Sequence, residues 1–63
     1  MTQKELAYTE DAIGHESNII KIIDLTISNL QDDKLITFMN TELDTHKQMK
    51  AKLMNLLEAK TNE

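Results

Sequence analysis

Three observations predict an all-α fold, an antiparallel hairpin of two long helices. The 63 residues include no proline, one glycine and few aromatic residues, a composition that disfavours a β-fold with its turns and aromatic strands. Apolar residues recur at seven-residue spacing through most of the chain, which is typical of packed helices. One short polar segment interrupts this pattern near the middle. We therefore expect a single helical domain over residues 1–63, in which the two helices fold back on each other.

Helix one is predicted over about residues 3–30. It begins with T-Q-K-E, Thr2 to Glu5, a capping box in which each of these two side chains accepts a hydrogen bond from the other residue's backbone amide. Its apolar stripe repeats every seven residues with a second, offset row, as in coiled coils. The stripe consists of Leu6, Ile13, Ile20, Ile23, Ile27 and Leu30.

The polar segment S-N-L-Q-D-D-K predicts a turn at about residues 29–33, where Asp32 or Asp33 caps helix two, which runs over about 33–59. Its predicted apolar stripe is Leu35, Met39, Leu43, Met49 and Leu53. In an antiparallel hairpin centred on this turn, the numbers of facing residues add up to about 62. The facing pairs would be Leu6 with Leu56, Ile13 with Met49, Ile23 with Met39, and Ile27 with Leu35.

Three ionisable residues lie on these apolar stripes. Glu16 lies near the middle of the helix-one stripe, and Glu42 and His46 lie one turn apart on the helix-two stripe. Because Glu16 and His46 share a level, one interpretation is a buried ion pair, or a hydrogen-bonded Glu42 layer, that fixes the helix register. These residues predict a polar layer at about half the height of the hairpin.

A metal site is the alternative interpretation of the same layer. Two hairpins would supply four carboxylates and two imidazoles, the ligand set of di-iron and di-manganese carboxylate bundles. Such ligands suit iron, manganese or zinc, with Glu16, Glu42 and His46 as the donors. The spacing here is Glu-x-x-x-His, whereas those bundles use Glu-x-x-His. We expect no other cofactor and no catalytic residue.

Both helices carry apolar side chains beyond their stripes, more than one partner helix can cover. These additional residues are Ile19, Ile22, Leu25, Phe38, Met54 and Leu57. Uncovered apolar area marks an association surface, and two hairpins around a two-fold axis close it as a four-helix bundle. A homodimer is therefore the expected partner state; pairing with another helical protein is the alternative.

Other features of the sequence disfavour several classes of protein function. A net charge of -4 and scattered lysines disfavour binding to nucleic acid. No apolar run is long enough to span a membrane, so we expect a soluble protein made in the cytosol. The sequence has no nucleophile elbow and no phosphate-binding loop, so we expect no enzymatic activity.

The sequence also predicts whether several individual residues are exposed. Tyr8 and His15 are predicted on the outer side of helix one, exposed or on an oligomer surface. Gly14 is expected to be a tolerated surface glycine; the alternative is the close approach of a partner helix. The lysines of helix two are expected to be solvated. These lysines are Lys47, Lys50 and Lys52.

The segments E-L-A-Y-T-E-D-A-I-G-H-E, L-Q-D-D-K-L and E-L-D-T-H-K-Q resemble the short spore coat proteins related to spore coat protein F, within the ferritin-like helical proteins of spore-forming Firmicutes. The resemblance covers roughly residues 4–57. It implies a ferritin-like hairpin, either half of a dimeric bundle or a truncated relative of longer members, located in the spore coat beside other coat proteins. It also implies that Glu16, Glu42 and His46 match the helix-one glutamate, helix-two glutamate and histidine of ferritin-like sites.

Overall fold

The structure, a computed structural model, describes residues 1–61, so the last two residues of the predicted 1–63 hairpin lie outside it. Two helices, α1 (Gln3–Ser28) and α2 (Asp33–Thr61), pack against each other along their lengths, and residues 1–61 contain no strand. The predicted all-α hairpin is confirmed. The first helix ends two residues before its predicted end, whereas α2 continues two residues beyond.

The ends of the helices follow local hydrogen bonds. At the start of α1, the Thr2 amide donates to the Glu5 carboxylate (2.8 Å) and the Glu5 amide donates to the Thr2 hydroxyl (3.0 Å). The hydrogen bond from the Thr2 backbone amide, and after it the interaction of the carboxylate with the Thr2 side chain, lower the pKa of Glu5 below its ordinary value of 4.5. At the start of α2, the Leu35 amide donates to the Asp32 carboxylate (3.0 Å). Asp32 rather than Asp33 therefore caps the second helix.

The turn begins at Asn29, which ends α1 by bonding back onto its last turn. The Asn29 amide donates to the carbonyl of Thr26 (3.0 Å), and its side-chain amide donates to the carbonyl of Leu25 (2.8 Å). The Leu30 amide then donates to the carbonyl of Ile27 (3.2 Å). Because these bonds satisfy carbonyls that the ended helix leaves open, the chain can reverse within residues 29–32.

The contact between the helices is a single seam with alternating steps of three and four residues. Every seam residue is buried or half-buried. In α1 the seam contains Leu6, Thr9, Ile13, Glu16, Ile20, Ile23 and Ile27, and it continues to Leu30 in the turn. In α2 it contains Ile36, Met39, Leu43, His46, Lys50, Leu53 and Leu57. This is the spacing of an antiparallel coiled coil.

The seam corrects part of the predicted stripe of α2. Leu35, Met49 and Leu56 are 51%, 43% and 49% exposed, so their predicted positions opposite Ile27, Ile13 and Leu6 are wrong. The seam instead uses the residues one position later, at 36, 50 and 57. The reason is that α2 carries two adjacent rows of seven-residue spacing, and only the second of them turns toward α1.

Lys50 belongs to that second row and is half-buried, so the prediction that it is solvated is wrong. Its position follows from the period that leads from Ile36 through Leu43 and on to Leu57. The long aliphatic part of a lysine can cover apolar surface while the ammonium group reaches water. A lysine can therefore occupy one level of the seam without a buried charge.

The hairpin is thin, because two helices form only one layer. Its Cα atoms span 47 × 14 × 11 Å. Among the described residues only Ile23 (6%), Leu43 (8%) and Glu16 (8%) fall into the buried class. A single chain therefore has a line of contact between its helices but hardly any interior.

Candidate functional site

The centre of the seam is a polar pair formed by Glu16 and His46. Nδ1 of His46 lies 2.5 Å from Oε2 of Glu16, and their side chains are 21% and 11% exposed, respectively. Nδ1–H donates this hydrogen bond, and the pair is ionic when the imidazole is protonated. The predicted pairing of these residues at one level is thus present in the structure.

Apolar seam residues flank this polar pair on both sides along α1 and on one side along α2, where Lys50 follows His46. On α1, Ile13 and Ile20 precede and follow Glu16 in the seam; on α2, Leu43 precedes His46. No side-chain nitrogen or oxygen buried within residues 1–61 lacks a hydrogen-bond partner. A satisfied polar pair in an apolar seam can specify register, because sliding either helix would leave a carboxylate buried without a partner.

Glu42 is not part of this pair. It is half-buried one helical turn nearer the hairpin turn than His46, and it has no hydrogen-bond or ion-pair partner among the described residues. No three His, Asp or Glu side chains of residues 1–61 form a group that could hold a metal ion. One chain therefore brings Glu16 and His46 together without Glu42, and the two-chain metal site stays a prediction.

The seam separates two broad sides of the hairpin. Near the chain termini, each of these sides has an open groove that shows which residues belong to it. On one side Tyr8 of α1 and Leu56 of α2 line a common groove with Met1 and Glu5. On the other side Met54 of α2 lines a groove with residues of α1 that include Leu6 and Glu10. Because the seam keeps one helical period throughout, residues seven apart extend these two sides along the hairpin.

The first side, here called the apolar face, consists of large and small apolar residues on both helices. Its apolar members are Met1, Tyr8, Ala12, Ile19, Ile22, Leu35, Phe38, Met49 and Leu56. The second side, here called the polar face, is rich in charged and small residues. It contains Ala7, Glu10, Gly14, Ser17, Lys21, Asp24, Asn40, Asp44, Lys47, Ala51, Met54 and Glu58.

Exposed apolar side chains are concentrated on the apolar face. Nine large apolar side chains are exposed among the described residues, and seven of them belong to this face. Tyr8 (63%), Ile22 (61%) and Phe38 (59%) are the most exposed members. The other two of the nine are Leu25 on the back of α1 and Met54 on the polar face. Exposed apolar patches of this kind are typical of protein interaction surfaces.

This asymmetry was missed in the sequence, although a signal for it exists. From the sequence alone, the apolar residues outside the stripes form a single group that is not divided between the two sides of the hairpin. This group includes Ile22, Leu25, Phe38 and Met54. A separate row of α2 lies one position before one of the two seam rows. The seam row in question is Ile36, Leu43, Lys50 and Leu57. The separate row is Leu35, Glu42, Met49 and Leu56. The row places Glu42 on the apolar face as its half-buried acidic member.

The polar pair lies on the apolar side of the seam. Thr9 and Lys60 line the groove that contains Tyr8 and Leu56, and they belong to the same seven-residue rows as Glu16 and His46. Lys50 belongs to the row of Leu57, which lines the groove of the polar face. Any protein that covers the apolar face would thus also cover the Glu16 and His46 pair.

None of the helices described in residues 1–61 is long and apolar enough for a membrane span. Comparison of the chain with protein-family models, with curated proteins and with solved structures gives no match.

Proposed function

We propose that this chain is a non-enzymatic structural protein that assembles as a homodimer through its apolar face, forming a ferritin-like four-helix bundle. The observation that carries the proposal is the placement of seven of the nine exposed large apolar side chains on one face. A second copy of the chain presents the same face, so apolar rows can meet apolar rows around a two-fold axis. The polar face would remain in water and keep the dimer soluble.

The available area is sufficient for such a dimer. A standard interface buries about 800 Å² per partner. That is roughly a sixth of the 4975 Å² that the described chain exposes, which one broad side of a thin hairpin can supply. Dimerisation would also give the chain the interior that a single seam lacks, a common solution for domains of this size.

The resemblance of the helix-one and turn segments to short spore coat proteins supports a place for this dimer in the spore coat. In that role the protein is made in the cytosol and then joins other coat proteins. A compact, charged bundle with one satisfied polar layer suits a building block for a layered shell. Pairing with a different helical protein is the competing outcome that the following experiment separates.

The test compares wild type with Phe38→Ser and with the matched control Leu25→Ser. These two side chains are 59% and 66% exposed on helical surfaces, but only Phe38 lies on the apolar face. Sedimentation equilibrium and thermal unfolding are measured over a hundredfold range of protein concentration. We expect a wild-type dimer whose melting temperature rises with concentration. Phe38→Ser should weaken dimerisation by about tenfold or more, and Leu25→Ser should leave it unchanged.

A helical wild-type monomer at every concentration would contradict the homodimer and favour a heterologous partner. Equal weakening by both serine variants would contradict the assignment of the face. Both variants introduce serine, and leucine is a better helix former than phenylalanine, so Leu25→Ser loses at least as much helix propensity. A larger effect of Phe38→Ser on dimerisation therefore reports the interface rather than helix propensity.

The second candidate function is a ferritin-like metal-binding protein that holds iron or manganese at the dimer centre. The observation that favours it is the position of the Glu16 and His46 pair on the apolar side of the seam, where a dimer would bring together two such pairs and two copies of Glu42. Native mass spectrometry with Fe(II), Mn(II) or Zn(II) tests it. A dimer carrying metal, which Glu16→Leu with His46→Leu abolishes, supports this function; a metal-free dimer contradicts it.

A further inference from the structure

On each helix, one pair of large apolar residues of the apolar face is placed symmetrically about the helix centre. The midpoint of α2 (Asp33–Thr61) is Lys47, and that of α1 (Gln3–Ser28) lies between His15 and Glu16. Phe38 and Leu56 lie nine residues on either side of Lys47. On α1, Tyr8 and Ile22 lie seven residues on either side of His15. Each helix thus has one pair of large apolar residues of the face at equal distances from its centre.

Two charged residues of the face, both on α2, have the same symmetric placement. Glu42 and Lys52 lie five residues before and after Lys47, on the two rows of α2 that contribute to the apolar face. Glu42 is half-buried and Lys52 is exposed, and neither has an ion-pair partner among the described residues. Ten residues separate them, about 15 Å along the helix, so they cannot pair within one chain.

We propose that the two hairpins of the dimer pack with their turns at opposite ends, so that each helix lies antiparallel on its own copy. The inference rests on the proposed homodimer and specifies its geometry. The two-fold axis then crosses α1 and α2 near their midpoints, which gives full overlap of the helices. Phe38 meets Leu56 of the partner subunit, and Glu42 pairs with Lys52 of the partner subunit, once on each side of the axis.

The competing arrangement has both turns at the same end, so that α1 packs on α2 of the second copy. Apolar contacts do not discriminate between these arrangements, because Tyr8 would then face the partner's Leu56 and Ile22 would face the partner's Phe38. The charges do discriminate. Glu42 would lie against isoleucines of α1 without a cation, and a carboxylate that loses water without a partner is strongly unfavourable.

The test is a charge exchange on the full chain. The variants are Glu42→Lys, Lys52→Glu and the double variant that carries both changes. Each single variant sets like charges against each other twice in the opposed dimer, so we expect its dissociation constant to rise by about tenfold. The double variant restores both pairs with reversed polarity, so its dissociation constant should return to within about threefold of wild type.

Mixing the two single variants supplies an independent readout. One variant is labelled with ¹⁵N, and native mass spectrometry counts the three dimer species. If the turns lie at opposite ends, all four charges pair in the mixed dimer. We therefore expect the mixed dimer to exceed half of the dimer population, which is the fraction that random mixing gives. Helical content measured by circular dichroism confirms that each variant is folded.

A wild-type dimer whose double variant is no stronger than the single variants, with statistical mixing, would overturn the opposed arrangement while leaving the dimer intact. A wild-type monomer would instead overturn the proposed function itself. The two failures are therefore distinguishable within one series of measurements.

Discussion

The apolar and polar faces of the hairpin are formed by the same two helices, yet they carry opposite chemistry. Among the described residues, seven exposed large apolar side chains lie on one face, whereas only Met54 lies on the other. Both faces flank the same seam, so the periodicity that forms the hairpin does not by itself explain the difference. The difference shows that one set of rows forms the hairpin, whereas a neighbouring set carries the exposed apolar side chains on which the proposed association depends.

The polar residues of the seam are also divided between its two sides. Its one polar pair, Glu16 with His46, lies toward the apolar face, whereas its one lysine, Lys50, lies toward the polar face and water. Polar groups near a covered surface need partners, and those near an open surface can reach solvent. Three substitutions test this division, from the largest expected effect to the smallest.

Removing one member of the polar pair should have the largest effect. His46→Leu leaves the Glu16 carboxylate poorly exposed and without its partner, so we expect the free energy of unfolding to fall by about 2 kcal/mol. The double variant Glu16→Leu with His46→Leu should recover most of this loss, because two apolar residues replace the pair. Urea unfolding at one fixed protein concentration measures both. A double variant as unstable as His46→Leu would show that the pair is not the cause.

Completing the seam on the polar side should stabilise the hairpin. Lys50→Leu replaces a half-buried lysine with an apolar residue at a seam position, and we expect a gain of about 1 kcal/mol in the free energy of unfolding. Lys47→Leu is the matched control, because Lys47 is exposed on the polar face and should give no comparable gain. A loss of stability in Lys50→Leu would mean that its ammonium group makes a contribution that the seam requires.

Gly14→Ala should have the smallest effect and reports directly on the polar face. A Cβ atom at Gly14 would meet no atom within 4 Å, so alanine fits without strain. Its better helix propensity should raise the free energy of unfolding by about 0.5 to 1 kcal/mol. Dimer affinity, measured by sedimentation equilibrium, should not change. Weaker dimerisation would revive the alternative in which a partner helix approaches closely at this glycine.

Much of the hairpin could be predicted from particular residues. The capping box at Thr2 and Glu5, the break before Asp32 and the isoleucines of α1 each constrain the chain locally. The register followed from the turn position, and the hydrogen bond between Glu16 and His46 confirms it. These features depend on residues close in sequence or on one simple symmetry, so propensity and periodicity are sufficient to find them.

The choice between the two rows of α2 could not be predicted in the same way. Leu35 and Leu56 are as apolar as the seam residues that follow them, and Met49 is more apolar than Lys50. The average direction of an amphipathic helix therefore lies between both rows. Only contact with α1 decides which row turns inward. The same ambiguity concerns Glu42 and Lys50. Glu42 is half-buried beside the seam on the apolar face, and Lys50 is half-buried within the seam.

The short connection at residues 29–32 has a consequence for the order in which the hairpin forms. Contacts next to the turn, such as those of Leu30 and Ile36, close small loops, whereas Glu16 and His46 are thirty residues apart. Loop closure loses more entropy as the separation grows, and chains rich in near-neighbour contacts fold quickly. We therefore expect the helices to pair first next to the turn and then progressively toward the termini. Glu16 and His46 form their hydrogen bond after the first apolar contacts, and only if those contacts have set the correct register.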